Sequence, residues 1–122
     1  MTLKNQLYKI LTADHEARSF ELALQPDCVI YRAHFPERPV TPGVCIIQTA
    51  TELLGELTGS THELIGVANA KYLAVIDPLL TPIVTYSFKK IQNDDENGTV
   101  KVSVEVRGTD TVYTKLSLIY KR

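Results

Sequence analysis

The sequence predicts an α+β fold, an antiparallel sheet wrapped around one long central helix at about residues 42–58. Two observations carry this. Only one stretch keeps a helical period over several turns, and its apolar residues gather on one broad face. Most of the remaining chain alternates apolar and polar side chains, the mark of half-buried strands. A third observation sets the scale: 122 residues hold one real core but not two, so a single domain over 1–122 is expected.

Taken in order, LYKIL and SFELAL read as a first hairpin turning about Asp14-His15-Glu16. The helix follows. Thr41 is suited to cap it, and Pro42 suits its first position, where a missing N–H costs nothing. Ile46, Ile47, Ala50, Leu53, Leu54 and Leu57 share one face, Gln48, Thr51, Glu52 and Gly55 lie on the other side, and Gly59 suits the stop. ELIGVANAKYLAVI (63–76) is expected to be a strand with a bulge or bend near Ala68–Ala70. TPIVTYSFKKI (81–91) is another strand, followed by the turn NDDENG (93–98) with its Asn97-Gly98. Val100, Val102, Val104 and Val106 then alternate with charged or polar neighbours, and after the GTD turn Val112, Thr114, Leu116, Leu118 and Tyr120 do the same. The chain thus reads as two strands, a helix, then four strands. Such a sheet leaves edges, and edge strands are usually protected or paired, so a dimer is expected.

Composition narrows the function. A net charge of −1 gives no sign of a nucleic-acid binder. No apolar run reaches the 18 or so residues of a membrane span, and MTLKNQLYKILTADHE turns polar too soon for a signal peptide, so a cytoplasmic protein is expected. Cys28 and Cys45 make neither a metal-ligand spacing nor a disulfide framework, and reduced thiols are expected. There is no Gly-rich phosphate loop and no nucleophile elbow. Three scattered histidines make a poor metal site, so no metal is expected. His15 and His62 read as surface residues, and Cys45 as a packed one.

The stretch AHFPERPVTPGVCIIQTATELLGE (33–56) holds the candidate chemistry. Pro36, Pro39 and Pro42 stiffen the loop that carries His34 and Phe35, and stiff loops that hold a polar residue suggest a site. The plain alternative is a rigid connection with His34 on the surface. At the helix start the N–H groups of Gly43 and Val44 have no intrahelical partner and sit at the positive end of the dipole, suited to a carbonyl oxygen or oxyanion. Gly43 would also permit close approach of a substrate thioester. Gln48 and Glu52, one turn apart, are either a solvated helix face or part of a site shared with His34. Glu52 has a carboxyl for acid–base work, whereas Gln48 hydrogen-bonds but does not transfer a proton in that way.

The string His34-Phe35-Pro36-x-x-Pro39-Val40-x-Pro42-Gly43-Val44 resembles the signature of the 3-hydroxyacyl-[acyl-carrier-protein] dehydratases of the hotdog fold, approximately G-H-F-P-G-x-P-[IV]-x-P-G-V. AKYLAVIDPLLTP looks like a later strand of that family, and the β-rich last third fits as well. The resemblance implies a single hotdog domain that needs no cofactor. It implies that His34 takes the α-proton of a 3-hydroxyacyl thioester and returns it as water leaves. Phe35, Pro42, Gly43 and Val44 would form the substrate-binding surround, with the helix-end amides on the thioester carbonyl. A helix carboxylate from the other subunit would serve the departing hydroxyl, and the acyl chain would lie in an apolar tunnel at the dimer interface. The partner would be an acyl-carrier protein bearing the 3-hydroxyacyl chain, the assembly a homodimer or a hetero-oligomer of hotdog subunits. Lys71, Lys89 and Lys90 could meet an acidic carrier or be simple strand-face lysines.

The chain departs from the family pattern at the helix. The family's acid lies where this chain has Gln48, and the glutamine common one turn later is here Glu52. Ala33 and Glu37 also replace glycines beside the histidine. Three arrangements follow. His34 works with Gln48 orienting the hydroxyl or a water; the chain is a catalytically weak partner or carrier-binding subunit; or Glu52 supplies the acid from about 6 Å along the helix axis. The first is preferred, the second comes next and the third last. A hotdog thioesterase, which usually needs an acid on the helix, stays open through Glu52.

Overall fold

The computed structural model describes residues 2–33 and 37–122. Six strands, β1 (Tyr8–Asp14), β2 (Ser19–Leu24), β3 (Glu63–Tyr72), β4 (Ile83–Asp94), β5 (Thr99–Arg107) and β6 (Val112–Lys121), form one sheet in the order β1-β2-β4-β5-β6-β3. Every pair of neighbours is antiparallel. Two helices lie between β2 and β3: short α1 (Val29–Ala33) and long α2 (Gly43–Thr58). The sheet and its one long helix make the hotdog fold.

The core follows from the two periodicities. On β5 and β6 the inward residues pair across the strands, Val102 opposite Leu118 and Val104 opposite Leu116, and all four are buried. From α2, Cys45, Ile46, Ala50, Leu53 and Leu54 join the same apolar cluster, with Ile47 and Leu57 packed partly against it. Burying a side chain of this size contributes about 1.5–3 kcal/mol, so the helix is held by its stripe and not by its caps. Register shifts at Ile10/Thr12, Leu64/Gly66, Val67/Asn69 and Phe88/Lys90 mark bulges, which bend and twist strands. The Val67/Asn69 shift falls where the sequence places a bend.

Four boundaries differ from expectation. The long helix begins at Gly43, and Pro42 is the cap residue, with φ −62° and ψ 145°. Thr41 does not cap it: the buried hydroxyl donates to the Ile76 carbonyl at 3.1 Å and pairs with the Tyr31 hydroxyl at 2.8 Å. The strand after the helix ends at Tyr72, because the Leu73 and Ala74 N–H groups turn to the Tyr113 carbonyl. The strand expected at 81–91 runs from Ile83 to Asp94, which shortens the following turn to the residues between Asp94 and Thr99. The unexpected α1 buries Tyr31 and ends at Ala33, one of the positions where the family signature has glycine. At the far end of α2 the stop is as expected: Gly59 takes the left-handed conformation at φ 75°, and its N–H donates to the Gly55 carbonyl.

Candidate functional site

Two candidates, His34 and Phe35, lie outside the described residues. The others cluster along α2. At its N-terminus the first helical bonds run from the Cys45 and Ile46 N–H groups to the Pro42 carbonyl. The N–H groups of Gly43 and Val44 therefore precede the intrahelical ladder, at the end where the dipole is positive. The Val44 side chain is 72% exposed.

Gly43 has a close neighbour that the sequence did not reveal. A Cβ built there would lie 2.7 Å from the Tyr72 hydroxyl oxygen and 2.8 Å from the ring carbon that bears it. Only a residue without a Cβ lets the Tyr72 ring rest against the helix end. Tyr72 and the chain after it, Leu73 to Ile76, form a largely apolar cavity of about 330 Å³ with Val40, Thr41 and Ile46. This cavity adjoins the helix-end amides.

Further along α2 a larger groove of about 700 Å³ opens on the face away from the core. Gln48, Thr51, Glu52 and Gly55 line it from the helix, with Lys4 from the N-terminal segment and His62 beyond the helix end. Most of the residues that line it are polar or charged. Gln48 and Glu52 are joined directly: the Gln48 side-chain N–H donates to Glu52 Oε2 at 2.9 Å. Glu52 also accepts the Leu3 N–H at 2.8 Å, the Lys4 N–H at 2.9 Å and the Tyr8 O–H at 2.8 Å. Burial above all, then the hydrogen bond to Glu52, pushes the Tyr8 phenol well above its ordinary range and keeps it a donor. Lys4 pairs with Glu56 at the groove's rim.

The other titratable side chains have local tasks. His62 Nε2 is hydrogen-bonded to the Thr58 hydroxyl at 2.6 Å, and its ring meets Tyr120 edge-on. His15 lies on the surface, with its ring 3.4 Å from the Glu56 carbonyl. Burial, with Cys28 adding to it, pushes the Cys45 thiol up, as suits a packed residue. Lys71, Lys89 and Lys90 are exposed on the sheet. Among the described residues no three His, Cys, Asp or Glu side chains converge as a metal site would require.

The family profile of the ApeI-like proteins, described as ApeI dehydratase, matches residues 11–114. The chain belongs to the ApeI-like dehydratase family. No curated protein matches it. Among solved structures it is similar to the dehydratase heterocomplex ApeI:P from Xenorhabdus doucetiae, at 17% identity and TM-score 0.70, over 94% of this chain and 98% of that one. It is also similar to a phenylacetic acid degradation-related protein from Ralstonia eutropha JMP134, a candidate thioesterase, at 13% identity and TM-score 0.61, over 97% and 86% of the two chains. A candidate thioesterase from Lactococcus lactis matches at 12% identity and TM-score 0.59, over 99% and 96%. At these identities the structures share the fold, and the dehydratase assignment rests on the ApeI-like profile. No helix among the described residues is long and apolar enough to cross a membrane.

Proposed function

We propose that this ApeI-like chain dehydrates 3-hydroxyacyl thioesters carried on acyl-carrier protein to trans-2-enoyl thioesters, as one hotdog domain in a dimer or a hetero-oligomer. The observation that carries the reading is the family match over residues 11–114, which includes the His-Phe-Pro…Pro-Gly-Val string. In the proposed reaction the His34 imidazole takes the α-proton. The freed electron pair forms the Cα–Cβ double bond, and the Cβ–O bond breaks. The imidazolium proton goes to the departing oxygen, which leaves as water. A histidine that titrates near neutrality suits both transfers. The amides of Gly43 and Val44 would hold the thioester oxygen as charge develops on it. Phe35 and Pro42 would wall the reacting carbons.

Gln48 is assigned to orient the hydroxyl, not to protonate it. The surroundings of Glu52 favour this over the arrangement in which Glu52 is the acid, since four donors already occupy its carboxylate. Edge strand β3 exposes Ile65 and Val67, apolar surface suited to a partner subunit.

A second reading, that the chain is a catalytically weak subunit paired with an active relative, is favoured by Gln48 at the acid position and by the similarity to a chain of a heterocomplex. The test is a dehydration assay of the purified chain on a panel of carrier-linked 3-hydroxyacyl substrates. Enoyl product that His34→Ala abolishes supports the first reading. Activity that appears only with Gln48→Glu or an added relative supports the second. Release of free acid or thiol would instead mark a thioesterase.

A further inference from the structure

The Glu52 carboxylate accepts four hydrogen bonds in the groove. Oε1 accepts the Lys4 N–H at 2.9 Å and the Tyr8 O–H at 2.8 Å. Oε2 accepts the Leu3 N–H at 2.8 Å and the Gln48 side-chain N–H at 2.9 Å. An ionised carboxylate has about four acceptor sites and no donor, so these four donors fill it. Three of them come from a segment fixed by other means: Leu3, Leu7 and Tyr8 are all buried in the apolar core. The core thus holds the donors, the donors hold Glu52, and Glu52 holds Gln48.

We infer that Glu52 is a positioning residue that clamps the Gln48 carboxamide in one orientation. Because the carboxylate only accepts, Gln48 must turn its NH₂ end toward Glu52, which turns its carbonyl oxygen the other way. That is the orientation in which Gln48 would meet the β-hydroxyl of a 3-hydroxyacyl thioester, and a rotated amide would lose its hydrogen bond to Glu52. The choice of substrate rests on the dehydratase reading, but the clamp itself does not.

The test has two arms. In the first, the Gln48 side-chain NH₂ resonances of the 15N-labelled full chain are identified by their loss in Gln48→Leu. Glu52→Gln puts an NH₂ among four donors, and it is expected to move the Gln48 pair together with the Leu3 and Lys4 backbone N–H signals. If that variant does not fold, Glu52→Asp, which keeps the charge and shortens the arm, gives the same reading. Gln48 resonances that stay in place overturn the clamp. In the second arm, Glu52→Gln is expected to lower kcat about 10- to 100-fold with little change in KM, the scale of a misplaced catalytic contact. In a Gln48→Ala background it should cost nothing more. An equal loss in both backgrounds overturns the positioning role. If the wild-type chain dehydrates none of the substrates, the dehydratase reading fails while the resonances still decide the clamp.

Discussion

Gly43 sits at the start of α2 with the Tyr72 ring against it, so the smallest possible side-chain addition has a definite consequence. In Gly43→Ala the new methyl must displace the ring, whose hydroxyl oxygen lies 2.7 Å from the Cβ position. Tyr72 is 51% exposed and has room to swing outward. The expected result is a change in unfolding free energy within about 1 kcal/mol, with a clear fall in dehydration rate, because the cavity beside the helix amides changes shape. Melting curves and rates on the same preparation check both. The signature around Gly43 was legible in sequence because its residues are neighbours in the chain. Tyr72 was not, since it reaches Gly43 only through the fold. The same holds for Glu52, read as a possible acid from its place on the helix. Its partners Leu3, Lys4 and Tyr8 come from the N-terminal segment, far from it in the chain. Thr41 was assigned to the helix cap by local rules, but Tyr31 and Ile76 claim its hydroxyl.

The strands and α2 were readable because each carries a period that side chains of one face share. Valines at every second position of β5 and the apolar stripe of α2 left little choice. The ends of elements were less readable, because carbonyls of distant segments decide them, as Tyr113 does for the end of β3. Short α1 carries too few residues to show a period. One position within a strand breaks the apolar rule with no return. Thr114 of β6 is fully buried, and its hydroxyl has no hydrogen-bond partner among the described residues. A buried, unsatisfied hydroxyl costs about 1–3 kcal/mol. Thr114→Val keeps the shape and removes that cost, so it is expected to raise stability by roughly 1 kcal/mol. Urea unfolding measures this, and a lower midpoint would show that the hydroxyl is in use.

Across the whole molecule, burial of tyrosines ties stability to alkaline pH. Burial pushes the Tyr31 phenol up to about 12 from an ordinary 10.0, only partly opposed by its hydrogen bond to Thr41. Tyr8, Tyr86 and Tyr120 are pushed up as well, each by burial first. Unfolded, these phenols ionise above about 10 while the folded chain keeps them neutral. Their contribution is fully present below pH 10 and is lost as pH rises through the folded values, by up to about 1.4 kcal/mol per pH unit for each tyrosine. Unfolding midpoints at pH 9 and pH 11 should differ strongly, and equal midpoints would contradict the burial of these rings. At the same scale, the hotdog sheet and α2 place the Gly43 amides, Gln48 and Glu52 along one helix, the arrangement on which the proposed dehydration rests. The most direct measurement is the dehydration assay on carrier-linked 3-hydroxyacyl thioesters. Enoyl thioester from the wild-type chain, lost in His34→Ala, is the predicted result. Unchanged turnover in His34→Ala, or free acid in place of enoyl product, would contradict it.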